Sequence, residues 1–399
     1  MTQLLPQCFF PMENTIQDYV WGSRTAISKL LGIDNPDNNH QAELWMGAHH
    51  NGCSKIKVDG KTQLLSDFIN QDKVAVLTAT TAAQFGELPY LFKVLAAGNA
   101  LSIQVHPNKE QAEAGFAKEE LAGIPRTARH RNYKDPNHKP ELVYALTRYH
   151  AMNGFREFAE IIALFQKVNI TVIAELVSEF AAQPTSAGLK TFFSAILSLQ
   201  GEVKDAAVKV LLEYADVHKE EELFATILEL AQQYPGDIGL LSPLMLNVIT
   251  LQPGEAMFLH ACTPHAYIRG TGLEIMANSD NVLRAGLTPK HIDVDELVAC
   301  TLFEAISFHE LHFMPQEKEE GLYFVTPVDD FKLAILESAE QLTISMQSAE
   351  ILLALDNELT VMQPSCEMLT ISKGHSVFIP AYTRQYLLTS KGRVARAFN

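Results

Sequence analysis

No two of the five cysteines, Cys8, Cys53, Cys262, Cys300 and Cys366, stand in a Cys-x-x-Cys pair. Their odd number and scatter speak against a disulfide framework and a thiolate zinc site, and fit a reducing compartment. Positive charge is short as well: 31 Lys and Arg face 47 Asp and Glu, a formal charge of −16. Such a surface repels a phosphate backbone, which argues against nucleic acid while leaving room for a small anion held by a few local cations. The opening stretch has no basic flank. The opening MTQLLPQCFFPME has only a short apolar run broken by proline, so the expectation is no signal peptide, no membrane contact and a cytoplasmic location. The acidic surface and the lack of an obvious exposed apolar stripe predict a monomer.

A chain of 399 residues can bury more than one core, and its texture changes along its length. Up to about residue 150 short patterns alternate. Helical turns are expected over 25–31 and 64–70, strands over 55–58, 90–95 and 141–146. Both tryptophans lie here, Trp21 in DYVWGS and Trp45 in AELWMGAHHN, and their ordinary role is an aromatic core beside a turn. From Arg156 to Gln233 glycine and proline thin out and apolar residues recur at three and four, as in Leu189, Phe192, Phe193, Ile196 and Leu197. That spacing predicts several amphipathic helices without chemistry of their own.

Strand and turn texture returns at Tyr234-Pro-Gly-Asp237 and brings an internal repeat. Gly254 to Ile268 aligns without gaps, 120 positions on, with Gly374 to Leu388; Gly254, Phe258, Ala261 and Thr263 recur as Gly374, Phe378, Ala381 and Thr383. Each copy reads as a β-sandwich hairpin. The copies differ at His265, which becomes Gln385, and at His260, which becomes Pro380. The first copy is therefore expected to be the working one.

The stretch Ala100 to Pro107 carries the sharpest pattern. Leu101, Ile103 and Val105 alternate with Ser102, Gln104 and His106, so one face of a strand enters a core while the other presents a hydroxyl, an amide and an imidazole. Pro107 should end the strand. Gln104 and His106 share a face, as do Lys139 and Glu141. With His265 they offer two imidazoles, one carboxylate and one amide, a mixed N/O set that suits zinc, with manganese, cobalt or iron as other occupants. Arg284 and Lys290 stand six apart in a segment rich in Asn, Asp and Gly, which reads as a loop whose cations could share one phosphate.

Ala42-Glu-Leu-Trp-Met-Gly47, Ser102-Ile-Gln-Val-His-Pro107, NYKDPNHKPE (132–141) and NSDNVLRAGLTPKH (278–291) resemble the zinc-dependent, type I mannose-6-phosphate isomerases. The resemblance implies a mainly β fold: a cupin-type jelly-roll catalytic domain over 1–154 and 235–319, an α-helical insertion over 155–234, and a C-terminal cupin-like β domain over 320–399 without a metal site. It implies reversible interconversion of mannose 6-phosphate and fructose 6-phosphate through an enediol, with one zinc ion per chain on Gln104, His106, Glu141 and His265, in the carbohydrate metabolism that feeds GDP-mannose biosynthesis. Arg284 matches the family's essential arginine, and Ser102, Lys93, Lys139, Glu274, Tyr267 and Lys290 match residues of its sugar-phosphate pocket. Lys139 and Glu274, with His49 behind them, are the candidate bases; the sequence does not choose among them. One departure is His50, where the family usually has proline. Two other readings use the same ligands: a non-catalytic zinc-cupin sensor of sugar phosphates, and a metal-dependent cupin oxygenase.

Overall fold

The computed structural model describes residues 7–363 and 367–399; Cys366 and the first six positions of the opening stretch lie outside the described residues. The expected short elements form as helices Ala26–Leu31 and Leu65–Gln71 and strands Lys55–Val58, Tyr90–Ala97 and Glu141–Ala145. Ten strands make one continuous sheet that folds over into two layers. One layer runs Thr15–Gln17, Glu43–Gly47, Tyr90–Ala97, His265–Ala277, Glu141–Ala145 and Ala256–Leu259. The other runs Leu246–Leu251, Tyr149–Phe155, the start of His265–Ala277, Ile103–Val105 and Leu283–Gly286.

His265–Ala277 belongs to both layers and changes layer at a register shift after Tyr267. Next in line is Gly270, at φ +123°; a Cβ there would stand 2.7 Å from the Arg148 carbonyl oxygen. Only glycine fits this backbone and this closeness. Strand Ile103–Val105 stops before Pro107 as expected. Asn108 then starts the helix Lys109–Leu121 with a reciprocal capping box to Gln111.

Each layer is backed by a different module. Five α-helices between Phe158 and Gln233 bury Phe165, Phe193, Leu211 and Ile227 in one cluster with Ile103, Val105, Ala266, Ile268 and Leu283. The helical stretch thus covers the back of the second layer. Behind the first layer, Phe92, Val94, Tyr144 and Ile275 share a core with Phe331, Ile335, Ile351 and Phe378 of the C-terminal sandwich. Strand Phe10–Pro11, near the start of the chain, pairs with Ser376–Ile379 in that C-terminal sheet.

The repeat is real, but its unit is not a hairpin. Ala256–Leu259 and the strand beginning at His265 recur at the same offset as Ser376–Ile379 and the strand beginning at Gln385. In neither copy do the two strands pair with each other: Ala256–Leu259 bonds to Glu141–Ala145, and Gln385–Ser390 bonds to Ala339–Ser345 and Leu359–Gln363. The connection is a corner that carries the chain between layers. Pro264 has no N–H to close a ladder in the first copy, and Arg384 takes φ +62° at the matching place in the second.

Inside the C-terminal sandwich Glu350 is fully buried, paired with Arg396 through Nε at 2.8 Å and a second guanidinium nitrogen, and accepts a 2.9 Å bond from the Tyr386 hydroxyl. Glu350→Ala would leave Arg396 buried without a counter-charge. It should destabilise the protein by about 3–5 kcal/mol, read as a lower urea midpoint, and a midpoint equal to wild type would refute the pairing.

Candidate metal centre and its cleft

The two-layer register brings together residues that are far apart in sequence. Gln104 lies opposite His265, and Glu141 lies opposite Met276 on the far half of the same strand. The result is a buried group. His106 Nε2 is 3.4 Å from Glu141 Oε1, His265 Nε2 is 3.5 Å from Glu141 Oε2, and the two imidazole centroids are 4.9 Å apart.

Outer partners set the tautomers. His106 Nδ1 donates to the Asn281 carbonyl at 2.7 Å and His265 Nδ1 donates to the Thr263 carbonyl at 2.9 Å, so each ring turns an Nε2 lone pair towards Glu141. Nε2 of His106 is buried without a hydrogen-bond partner. Burial, then the Lys139 ammonium, lowers this imidazole to about 3, which keeps the lone pair free. Burial by itself would raise Glu141, but Lys139 at 3.0 Å and the two histidines hold its carboxyl well below the usual range. A buried carboxylate, two inward lone pairs and an adjacent amide are a donor set that fits a divalent cation.

A cavity of about 670 Å³ opens in front of this group. Eleven of the twelve residues singled out from sequence line it: Ser102, Gln104, Lys93, Lys139, Glu141, His49, His265, Tyr267, Glu274, Arg284 and Lys290. His106 stands just behind the wall. The structure places Arg284 on strand Leu283–Gly286, opposite Gln104, and not in the expected loop. The polar texture hid a period of two: Leu283, Ala285 and Leu287 are buried while Val282, Arg284 and Thr288 are half-buried. Lys290 does lie in a loop.

Lys93 lines the cavity but spends its charge on protein. Its Nζ is 2.7 Å from Glu274 and 3.4 Å from Glu43, and these two carboxylates, then Glu141, outweigh burial and raise its pKa. Tyr267 Oη stands between Glu141 at 3.0 Å and Glu274 at 2.8 Å. Burial raises the Glu274 carboxyl, Lys93 opposes this, and Glu141 and Glu43 add to it. Glu43, also bound by Trp45 Nε1 at 2.9 Å, was missed from sequence; its signal was a carboxylate alone in the apolar run Ala42 to Met46.

Asn281 was missed too. Fully buried, it accepts from the Lys134 N–H, donates to the Asp135 and Asn137 carbonyls, and through its own carbonyl orients His106. Short polar residues in a row, Asn278-Ser-Asp-Asn281, were the available sign of such backbone bracing.

The unusual His50 joins a second cluster: its Nε2 is 3.4 Å from Asp280, and His49 Nε2 is 3.6 Å from the same carboxylate. His49 Nδ1 accepts the Asn51 N–H at 3.2 Å. The proton of neutral His49 therefore sits on Nε2, facing Asp280, and leaves no lone pair there for a metal.

Three domain descriptions match the chain: phosphomannose isomerase type I, catalytic domain, at residues 9–158; phosphomannose isomerase type I, helical insertion domain, at 164–246; and mannose-6-phosphate isomerase, cupin domain, at 320–399. The mannose-6-phosphate isomerase of Escherichia coli (strain K12) is 48% identical over 388 residues, 97% of this chain and 98% of that one. The Homo sapiens mannose-6-phosphate isomerase is 34% identical over 408 residues, 93% of each chain. The crystal structure of the Salmonella typhimurium mannose 6-phosphate isomerase bound to substrate (F6P) and a zinc atom matches with a TM-score of 0.94 at 47% identity, over 98% of this chain and 100% of that chain.

Removing one ligand should empty the centre. His265→Ala is expected to lose bound zinc by elemental analysis while remaining folded, and Gln385→Ala, which alters an exposed residue of the second copy, should keep full zinc content. Wild-type zinc in the first variant would disprove the ligand set.

Proposed function

The chain belongs to the type I phosphomannose isomerase family, and from that premise we infer that it is a zinc-dependent isomerase interconverting mannose 6-phosphate and fructose 6-phosphate. One observation carries the reading: a buried histidine and carboxylate group opens on a cleft whose lining also holds cations with no carboxylate partner among the described residues. Among the described residues Arg284, Lys290 and Lys134 make no ion pair, and Lys290 is lowered by burial, then by Arg284 and Lys134. Unpaired like charges side by side are what a phosphate dianion stabilises. The apolar or acid-binding pocket of an oxygenase would not need them.

The reaction removes the proton on C2 of the aldose, forms an enediol, and returns a proton to C1 as the carbonyl moves to C2. Zinc, when held by Gln104, His106, Glu141 and His265, supplies a Lewis acid that favours negative charge on the sugar oxygens. Arg284 and Lys290 hold the C6 phosphate, so binding energy from the unreactive end positions the reactive one. Glu274, fixed by Lys93 and Tyr267, has both oxygens engaged and serves to orient the cleft floor. Lys139 Nζ, partly open to the cleft and, among the described residues, ion-paired with Glu141 alone, is the group we assign to move the proton: as the free amine it takes the C2 proton, and the ammonium so formed returns it to C1. Ser102 and His49 line the sugar site.

We further propose three working units, a catalytic sandwich over 1–154 and 235–319, a helical insertion over 155–234 and a metal-free domain over 320–399, in a cytoplasmic monomer that supplies mannose 6-phosphate towards GDP-mannose. The scattered thiols and acidic surface support this placement.

Dialysis against a chelator should abolish sugar interconversion, and added zinc should restore it; a sensor would bind the sugar phosphate without turnover at any zinc level. Arg284→Ala should keep its zinc yet lose about 10²–10³-fold in kcat/KM, and near-normal turnover would remove Arg284 from the phosphate wall. Lys139→Met should lower kcat by about 10²–10⁴-fold with zinc and KM little changed; a purely higher KM would reassign Lys139 to binding.

A further inference from the structure

On the other side of the phosphate wall lies a second cavity of about 1390 Å³. Lys134, Arg284 and Lys290 line both spaces, so the wall is a partition reached from either side. The second cavity has six cationic side chains, adding Arg126, Arg129 and Arg131, against three carboxylates, Glu87, Asp135 and Asp280. In a chain of charge −16 this is a local reversal of sign.

Two of the cations are committed to the fold. Arg131 has no exposed side chain and is bonded to Glu119 and Glu120, and Arg126 reaches Glu120 at 3.3 Å. The carboxylates are committed as well. Asp135 accepts from Ser279 Oγ and the Asp280 N–H, Asp280 from Asn51, and Glu87 from Asn278. Four cations remain with no ion pair among the described residues: Arg129, Lys134, Arg284 and Lys290. A single phosphate monoester entering from the sugar side meets three of them. Of these two cavities, Arg129 lines the larger.

We propose that the larger cavity is a second phosphate subsite, taking the distal phosphate of a diphosphate chain on Arg129 while the proximal phosphate occupies the wall of Lys134, Arg284 and Lys290. This rests on the isomerase reading for the wall itself. Diphosphates then bind in place of substrate and act as reversible competitive inhibitors. The chemistry recognised is two contiguous phosphates, whether inorganic or at the end of a nucleotide.

The test uses the zinc-loaded full chain, with inorganic phosphate, pyrophosphate and adenosine diphosphate as probes. Pyrophosphate is expected to compete with mannose 6-phosphate about tenfold more tightly than phosphate, the increment of one added charge-assisted contact. Arg129→Ser should erase that gap and leave kcat and KM for the sugar unchanged. Inhibition by adenosine diphosphate as well as pyrophosphate assigns the site to nucleotide ends; inhibition by pyrophosphate alone assigns it to the inorganic ion. Equal constants for phosphate and pyrophosphate, or pyrophosphate inhibition that tracks zinc loss and is the same in Arg129→Ser, would overturn the subsite. A protein that turns over no sugar would fail the isomerase reading instead, and calorimetric titration of pyrophosphate into the same two proteins would still decide this proposal.

Discussion

The strand His265–Ala277 is the constraint on which the site depends, because it is hydrogen-bonded to both layers of the sandwich. Its first half sets His265 against Gln104, and its second half sets Glu274 against Lys93 and Met276 against Glu141. Side chains alternate across a strand, so a slip of one residue would turn His265 into the helical core and Ala266 into the cleft. The shift after Tyr267 and the close approach at Gly270 pin this register. The candidate metal ligands and the cleft floor are thus positioned by one set of backbone bonds.

That cleft gathers charge at a density the fold must neutralise. Glu43, Glu141 and Glu274 are all buried, against the ammoniums of Lys93 and Lys139. Three carboxylates facing two cations leave a negative excess in a low-dielectric setting, and a divalent cation reverses its sign. The reversed centre, together with Arg284 and Lys290, which make no ion pair among the described residues, suits a phosphorylated, oxygen-rich ligand. Buried electrostatics therefore join metal affinity and substrate class in one balance.

The remaining modules hold this arrangement rigid from behind. The helical stretch packs on the faces of Ile103, Val105, Ala266 and Ile268, while the C-terminal sandwich packs behind Phe92, Val94 and Ile275. The C-terminal copy of the repeat keeps the corner and its threonine, Thr383, and has an exposed glutamine where the first copy has a buried histidine. Its interior charge is neutralised within the sandwich, Glu350 by Arg396.

Local periodicity by itself determined much of this protein. The alternation at Ile103 to Val105, the helical spacing beyond Arg156 and the repeat at 120 positions are short-range patterns that appear in the fold, although Leu101, expected on the core face, lies outside the strand and lines the cleft. The candidate ligands were legible for the same reason: Gln104, Glu141 and His265 stand on strands, His106 follows one, and all but His265 lie in motifs resembling a family. Polar bracing in Asn278-Ser-Asp-Asn281 concealed the strand of Arg284, because Asn, Asp and Gly signal a loop whether or not a neighbour supplies hydrogen bonds. Only tertiary structure decided that the repeat is a corner, that Lys93 is consumed by Glu43 and Glu274, and that Lys134 and Arg129 face one cavity. Those outcomes depend on pairing between segments far apart in the chain, and neither register nor the sharing of a counter-charge is written in any single stretch.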